Sequence, residues 1–122
     1  MGGLSGCGGK ETTRTVATLT VEDVSAAFAQ KGIVMKILRR EYAPGVRYLS
    51  YPGDAGGVVR LVCFVFHTRK QASGYAGVAN RADNIRQAVV AANAVFLVLP
   101  EATAGERNDA IRAAHDLQQL AP

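Results

Sequence analysis

Apolar residues recur at helical spacing in three stretches, and each stretch opens on the same signature. Val21, Val24, Ala27 and Phe28 follow Thr20 and predict a helix over about 21–31, with Gly32 placed to close it. Ala72, Tyr75, Ala76 and Ala79 follow Thr68 and predict a second helix from Arg69, its end lying between Asn80 and Ala92. Ala110, Ile111, Ala114, Leu117 and Leu120 follow Thr103 and predict a third over 104–120, with Arg112, His115 and Gln119 on its polar side. In each case an acid or amide stands three residues beyond the Thr, at Asp23, Gln71 and Glu106. That is the order of a capping box.

Four runs carry strand patterning: Ile33 to Arg40, Val46 to Tyr51, Val58 to His67 and Val95 to Leu99. Ala43-Pro44-Gly45 and the segment Pro52 to Gly57 read as turns between the first three, which implies an antiparallel meander. Val58 to His67 is almost wholly apolar and reads as central in its sheet. The order is α-β-β-β-α-β-α. The expected fold is α+β: a two-layer sandwich of about four mainly antiparallel strands with helices on one face. Lys36, Arg47 or Arg60 would then stand on the other face. Residues 1–19 read as a terminal segment and tether, and 20–122 as one domain.

Length and composition agree with a single domain: 122 residues, 48% hydrophobic and 20% charged. No apolar run reaches the length of a membrane-spanning helix. The net charge of +4 is unevenly placed. Between Lys31 and Lys70 stand eight basic residues and two acids, Glu41 and Asp54. A basic middle is compatible with an ordinary solvated surface, or with anionic lipid, an acidic envelope polymer or nucleic acid.

Little in the chain has the spacing of catalytic or metal-binding chemistry. There is no C-x-x-C, no H-x-x-x-H, no phosphate loop and no G-x-S-x-G. No metal, cofactor or catalytic residue is therefore expected, nor an enzyme. A small enzyme would need a deep pocket with convergent polar groups around His67 or Glu41. Cys63 and His67 lie four strand residues apart, about 13 Å, too far for a nucleophile–base pair. Cys63 sits in Leu61-Val62-Cys63-Phe64-Val65 and reads as a small buried hydrophobe, and its spacing from Cys7 does not call for a disulfide. Arg39, Arg40, Tyr42, Arg47, Tyr48 and Tyr51 interleave cations with aromatics and form the best ligand patch the sequence offers. More often such a group is a sheet face with amphipathic side chains covering apolar area.

The clearest chemistry lies at Leu4-Ser5-Gly6-Cys7, an aliphatic residue, two small residues and a cysteine. This resembles the lipobox of bacterial lipoproteins. The resemblance implies a diacylglyceryl group on the Cys7 sulfur, cleavage just before Cys7, and an extracytoplasmic domain anchored to the cell membrane. Gly8 to Arg14 then suit a polar tether. Only Met1, Gly2 and Gly3 precede the box, so the resemblance also implies a basic and apolar export signal encoded upstream. The layout further resembles a group of small bacterial lipoproteins through Val62-Cys63-Phe64-Val65-Phe66 and the strand Asn93 to Leu99. The expected function is a non-catalytic binding or structural module of the cell envelope. The alternative is a cytoplasmic module that binds nucleic acid through the Arg/Tyr-rich meander.

Overall fold

The computed structural model describes residues 15–52, 57–85 and 87–122. Its elements are α1 (Val21–Ala29), β1 (Lys36–Ile37), β2 (Arg47–Tyr51), β3 (Leu61–Val65), α2 (Arg69–Ala79), β4 (Gln87–Ala91), β5 (Ala94–Val98) and α3 (Ala104–Leu120). The five strands form one antiparallel sheet in the order β1-β2-β3-β5-β4.

All three helices start where the threonines place them. Thr20, Thr68 and Thr103 each accept from the backbone N–H three residues on, at 3.1–3.2 Å. Asp23, Gln71 and Glu106 accept in return from the cap N–H at 2.9–3.2 Å. Gly32 closes α1 at φ +80. The Ile33 N–H reaches the Phe28 carbonyl and the Gly32 N–H the Ala29 carbonyl, both at 3.0 Å, the paired bonds of a Schellman motif. Ala43-Pro44-Gly45-Val46 is a hydrogen-bonded turn with Gly45 at φ +78. Pro at the second position and a positive-φ residue at the third make it type II.

The sheet has five strands rather than about four. The strand missing from the sequence reading is β4, which forms a hairpin with β5 through the two-residue turn Ala92-Asn93. The first predicted strand, Ile33 to Arg40, is mostly irregular, and only Lys36–Ile37 is strand.

Helices cover both sheet faces, not one. α1 and α3 pack on the face carrying Leu49, Leu61, Cys63, Phe96 and Val98. α2 packs on the other, against Phe64, Val95 and Leu97. The reason lies in β5, where every residue from Ala94 to Val98 is buried. A strand apolar on both sides needs a layer on both sides. In α3 the buried stripe is Ala110, Ala113, Ala114 and Leu117, whereas Ile111 is exposed. The folded body also starts before residue 20, because Leu19 is 3% exposed and Val16 packs on the same core.

The buried polar residue of this core is Asn93, 2% exposed. Its amide oxygen accepts from the Leu19 N–H at 2.8 Å. Its amide nitrogen donates to the carbonyls of Leu19 at 3.1 Å and Phe66 at 2.7 Å. Beside it, the Ala92 N–H donates to Gln118 Oε1 at 2.8 Å. One side chain thus joins the N-terminal segment, the end of β3 and the hairpin turn.

Candidate functional site

α2 lies over β4 and β5 and leaves the β1–β2 side of its sheet face uncovered by any described helix. At the border stands an aromatic cluster. Phe64 is at its centre, 4.3 Å between ring centroids from Tyr42, 5.2 Å from Tyr75, 5.9 Å from Tyr48 and 6.4 Å from Phe66. Phe66 and Tyr75 are 5.5 Å apart. Strand alternation puts Tyr48 opposite Phe64 on this face. Tyr75 reaches it from the Ala72/Ala76 stripe of α2. Phe64 is buried, Tyr48, Phe66 and Tyr75 half-buried, and Tyr42 is 53% exposed. Burial, and then the hydrogen bond between the Tyr75 and Tyr42 side chains, push the Tyr75 phenol up to about 12.

The sequence-predicted Arg/Tyr patch is divided by the sheet. Tyr42 and Tyr48 belong to the aromatic cluster, and Arg39 and Arg40 are exposed in the loop before Tyr42. Arg47 and Tyr51 share the strand parity of Leu49 and turn to the α1/α3 face. Arg47 is half-buried there, its Nε shielded from solvent and without a hydrogen-bond partner among the described residues. Phe64, Phe66 and Tyr75 were absent from the sequence-derived patch. The signal for them was the shared parity of Phe64 and Phe66 along one strand, and the position of Tyr75 on a stripe otherwise made of alanine.

Tyr51 takes part in a different arrangement. The Arg60 guanidinium carbon lies 5.1 Å from the Tyr51 ring centroid, and Arg60 Nε donates to both Glu106 oxygens at 2.9 and 3.0 Å. Glu106 also completes the α3 cap. Burial by itself would raise the Glu106 carboxyl, but hydrogen bonds from Arg60 and Thr103 and the Arg60 charge outweigh it and hold the carboxyl below its ordinary value of 4.5. A carboxyl depressed in the folded state stabilises fully above its unfolded pKa, and that stabilisation is lost as pH falls through the folded pKa. The urea midpoint of the protein is therefore expected to fall below about pH 4.5 more steeply than that of Glu106→Gln. Parallel pH profiles for the two proteins would remove Glu106 as the cause.

Cys63, His67 and Glu41 make packing and turn contacts. Cys63 is 0% exposed, and burial pushes its thiol well up. His67 is exposed. Its ring lies against Gly45, where a Cβ would stand 2.0 Å from Nε2. Glu41 Oε1 accepts from the Gly45 N–H at 3.1 Å, so it braces the turn. Asp54, the other acid of the basic middle, lies outside the described residues, as do Cys7, the lipobox and the tether to Arg14. An open cleft of about 590 Å³ is lined by Lys31, Ile111, Arg112, His115 and Asp116. Its polar groups pair locally: Lys31 with Asp116 at 2.7 Å, Arg112 with Asp109 at 2.8 Å, and His115 with Gln119 at 3.3 Å. Neither His67 nor Glu41 lines it. Among the described residues no three His, Cys, Asp or Glu side chains cluster as metal ligands, and no helix is long and apolar enough to cross a membrane. No protein-family model, curated protein or solved structure matches the chain.

Proposed function

We propose that this chain is the body of a bacterial lipoprotein, anchored to the cell membrane through a diacylglyceryl group on Cys7. In this reading its α+β domain is a non-catalytic binding or structural module of the cell envelope. The observation that carries the reading is Leu4-Ser5-Gly6-Cys7 followed by the polar run to Arg14. The fold is compatible with it: among the described residues the first to pack on the core is Val16, two residues beyond that run. The second cysteine is sealed in the core and does not compete for modification. A lipobox works by its residue types. Small side chains before the cut fit a narrow peptidase groove, and the cysteine supplies the nucleophilic sulfur. Two acyl chains on one residue then give the stable anchoring that a single chain does not.

The nucleic-acid alternative draws on the Arg/Tyr meander as one surface. Arg47 and Tyr51 face away from Tyr42 and Tyr48, which leaves a smaller surface for that purpose.

The test is metabolic labelling. The protein expressed in a bacterium from its full gene is expected to take up labelled palmitate and to fractionate with membranes. Cys7→Ala is expected to lose all label. A protein that carries no label, or a Cys7→Ala variant labelled as strongly as the parent, would sink the proposal.

A further inference from the structure

Several contacts place the exit point, where the described residues begin. Leu19 is held by Asn93, and Asn93 in turn holds Phe66 at the end of β3. The Val16 N–H donates to the Leu120 carbonyl at 2.9 Å, at the C-terminal end of α3. Arg69, which opens α2, donates to the carbonyls of Ala121 and Pro122. The end of β3, the start of α2, the end of α3 and the chain exit therefore share one end of the molecule. The aromatic cluster reaches the same end through Phe66. His67 packs on Gly45 there, and the Tyr42 N–H donates to the Val46 carbonyl of that turn at 2.8 Å. β1 runs toward this end because Lys36 pairs with Ser50 and Ile37 with Leu49, while Arg47 pairs with Val65 at the end of β3.

Arg39, Arg40 and Lys70 are exposed at this end, and no ion pair engages them among the described residues. Two of the acids at this end are committed to backbone groups, Asp23 to the Thr20 N–H and Glu41 to the Gly45 N–H, and Glu22 is left uncommitted. Cations beside a rim of Tyr and Phe are the side chains that settle at a bilayer interface: the rings lie at headgroup depth and the charges meet anionic phosphates. Seven residues, and so eight residue-to-residue steps, separate Thr15 from Cys7, which limits the distance between exit point and anchor to about 28 Å. A domain tethered that closely meets the surface at high effective concentration.

We propose that this exit end is a lipid-facing surface that seats the domain on an anionic phospholipid bilayer through Arg39, Arg40, Lys70, Tyr42 and Phe66. Its biological setting rests on the lipid-anchor reading, but its test does not. The chain carrying Cys7→Ser, which has no acyl group, is sedimented with vesicles of phosphatidylglycerol and phosphatidylcholine, or of phosphatidylcholine alone. Binding is expected only with phosphatidylglycerol present, at least about tenfold weaker at about 300 mM than at about 50 mM salt. The triple variant Arg39→Gln/Arg40→Gln/Lys70→Gln is expected to bind about a hundredfold more weakly, at about fivefold per cation. Arg81, Arg107 and Arg112, exposed elsewhere, provide the control. Changing all three to Gln removes the same charge and is expected to alter binding less than about threefold. Equal losses in the two triple variants, equal binding to neutral vesicles, or no binding to phosphatidylglycerol would each overturn the surface. A protein that takes up palmitate yet ignores these vesicles keeps its anchor and refutes the surface. One that binds them without ever being labelled does the reverse.

Discussion

Replacing Asn93 with Ala is expected to destabilise the protein by about 4 kcal/mol, a large part of the stability of a domain this size. The substitution deletes two buried hydrogen bonds and one part-buried one, and leaves the Leu19 N–H, the Leu19 carbonyl and the Phe66 carbonyl without those partners. Each orphaned backbone group costs about 1–3 kcal/mol, and part of this is recovered by relaxation or water entry. Asn93→Asp is expected to be worse at neutral pH, because its second oxygen would face the two carbonyls that the amide now donates to. Burial and those carbonyls raise the carboxyl of that variant in the folded state. The sign then follows: its stability is greatest below the unfolded aspartate value of about 3.9 and falls as pH rises through the raised folded value. Urea unfolding at several pH values measures both effects. A loss below about 1 kcal/mol for Asn93→Ala would mean that this network does not hold the N-terminal segment.

The second large effect is expected at Phe96. This residue is 2% exposed on the interior strand β5, with the Phe28 ring centroid 5.7 Å away. Phe96→Ala is expected to cost about 4 kcal/mol, from lost transfer energy and the cavity left under α1 and α3. Tyr42→Ala, in the aromatic cluster on the opposite face, is expected to cost under about 1 kcal/mol, since half of that ring is already in water. Similar losses at the two positions would contradict the closed and half-open faces described here. The contrast also makes Tyr42 a usable surface probe, since its removal leaves the fold in place.

Local signals in this sequence were easier to read than pairings. The three threonine caps could be seen because a capping box is a bond between residues three apart, so spacing alone specifies it. Gly32 and Gly45 could be seen for the same reason: each supplies a positive φ at a defined place in a helix end or a turn. The β4–β5 hairpin was hidden because its turn uses Ala92 at φ +51 where Gly is usual, and because Gln87-Ala88-Val89-Val90-Ala91 reads as helix or strand alike. Its register is fixed at a distance, by Asn93 to Leu19 and by Asn80, whose side chain pairs with the backbone of Ala88. The second helical layer could have been inferred from the runs of β3 and β5, which are apolar on both parities.

The Arg/Tyr patch shows the same limit at the level of the site. Arg47 and Tyr48 are neighbours in sequence and opposites in the sheet, since adjacent strand residues project to different faces. The parity of Phe64 and Phe66 was available, but their meeting with Tyr75 depends on where α2 lands, which no local spacing specifies.

The burial of Cys63 has a kinetic consequence. A thiol reagent reaches that sulfur only when the sheet and its covering helices come apart, so the modification rate of Cys63 counts excursions of the whole core. The chain has two cysteines. Any thiol that reacts faster than those excursions is Cys7, and a single time course separates the chemistry of the terminus from the breathing of the domain.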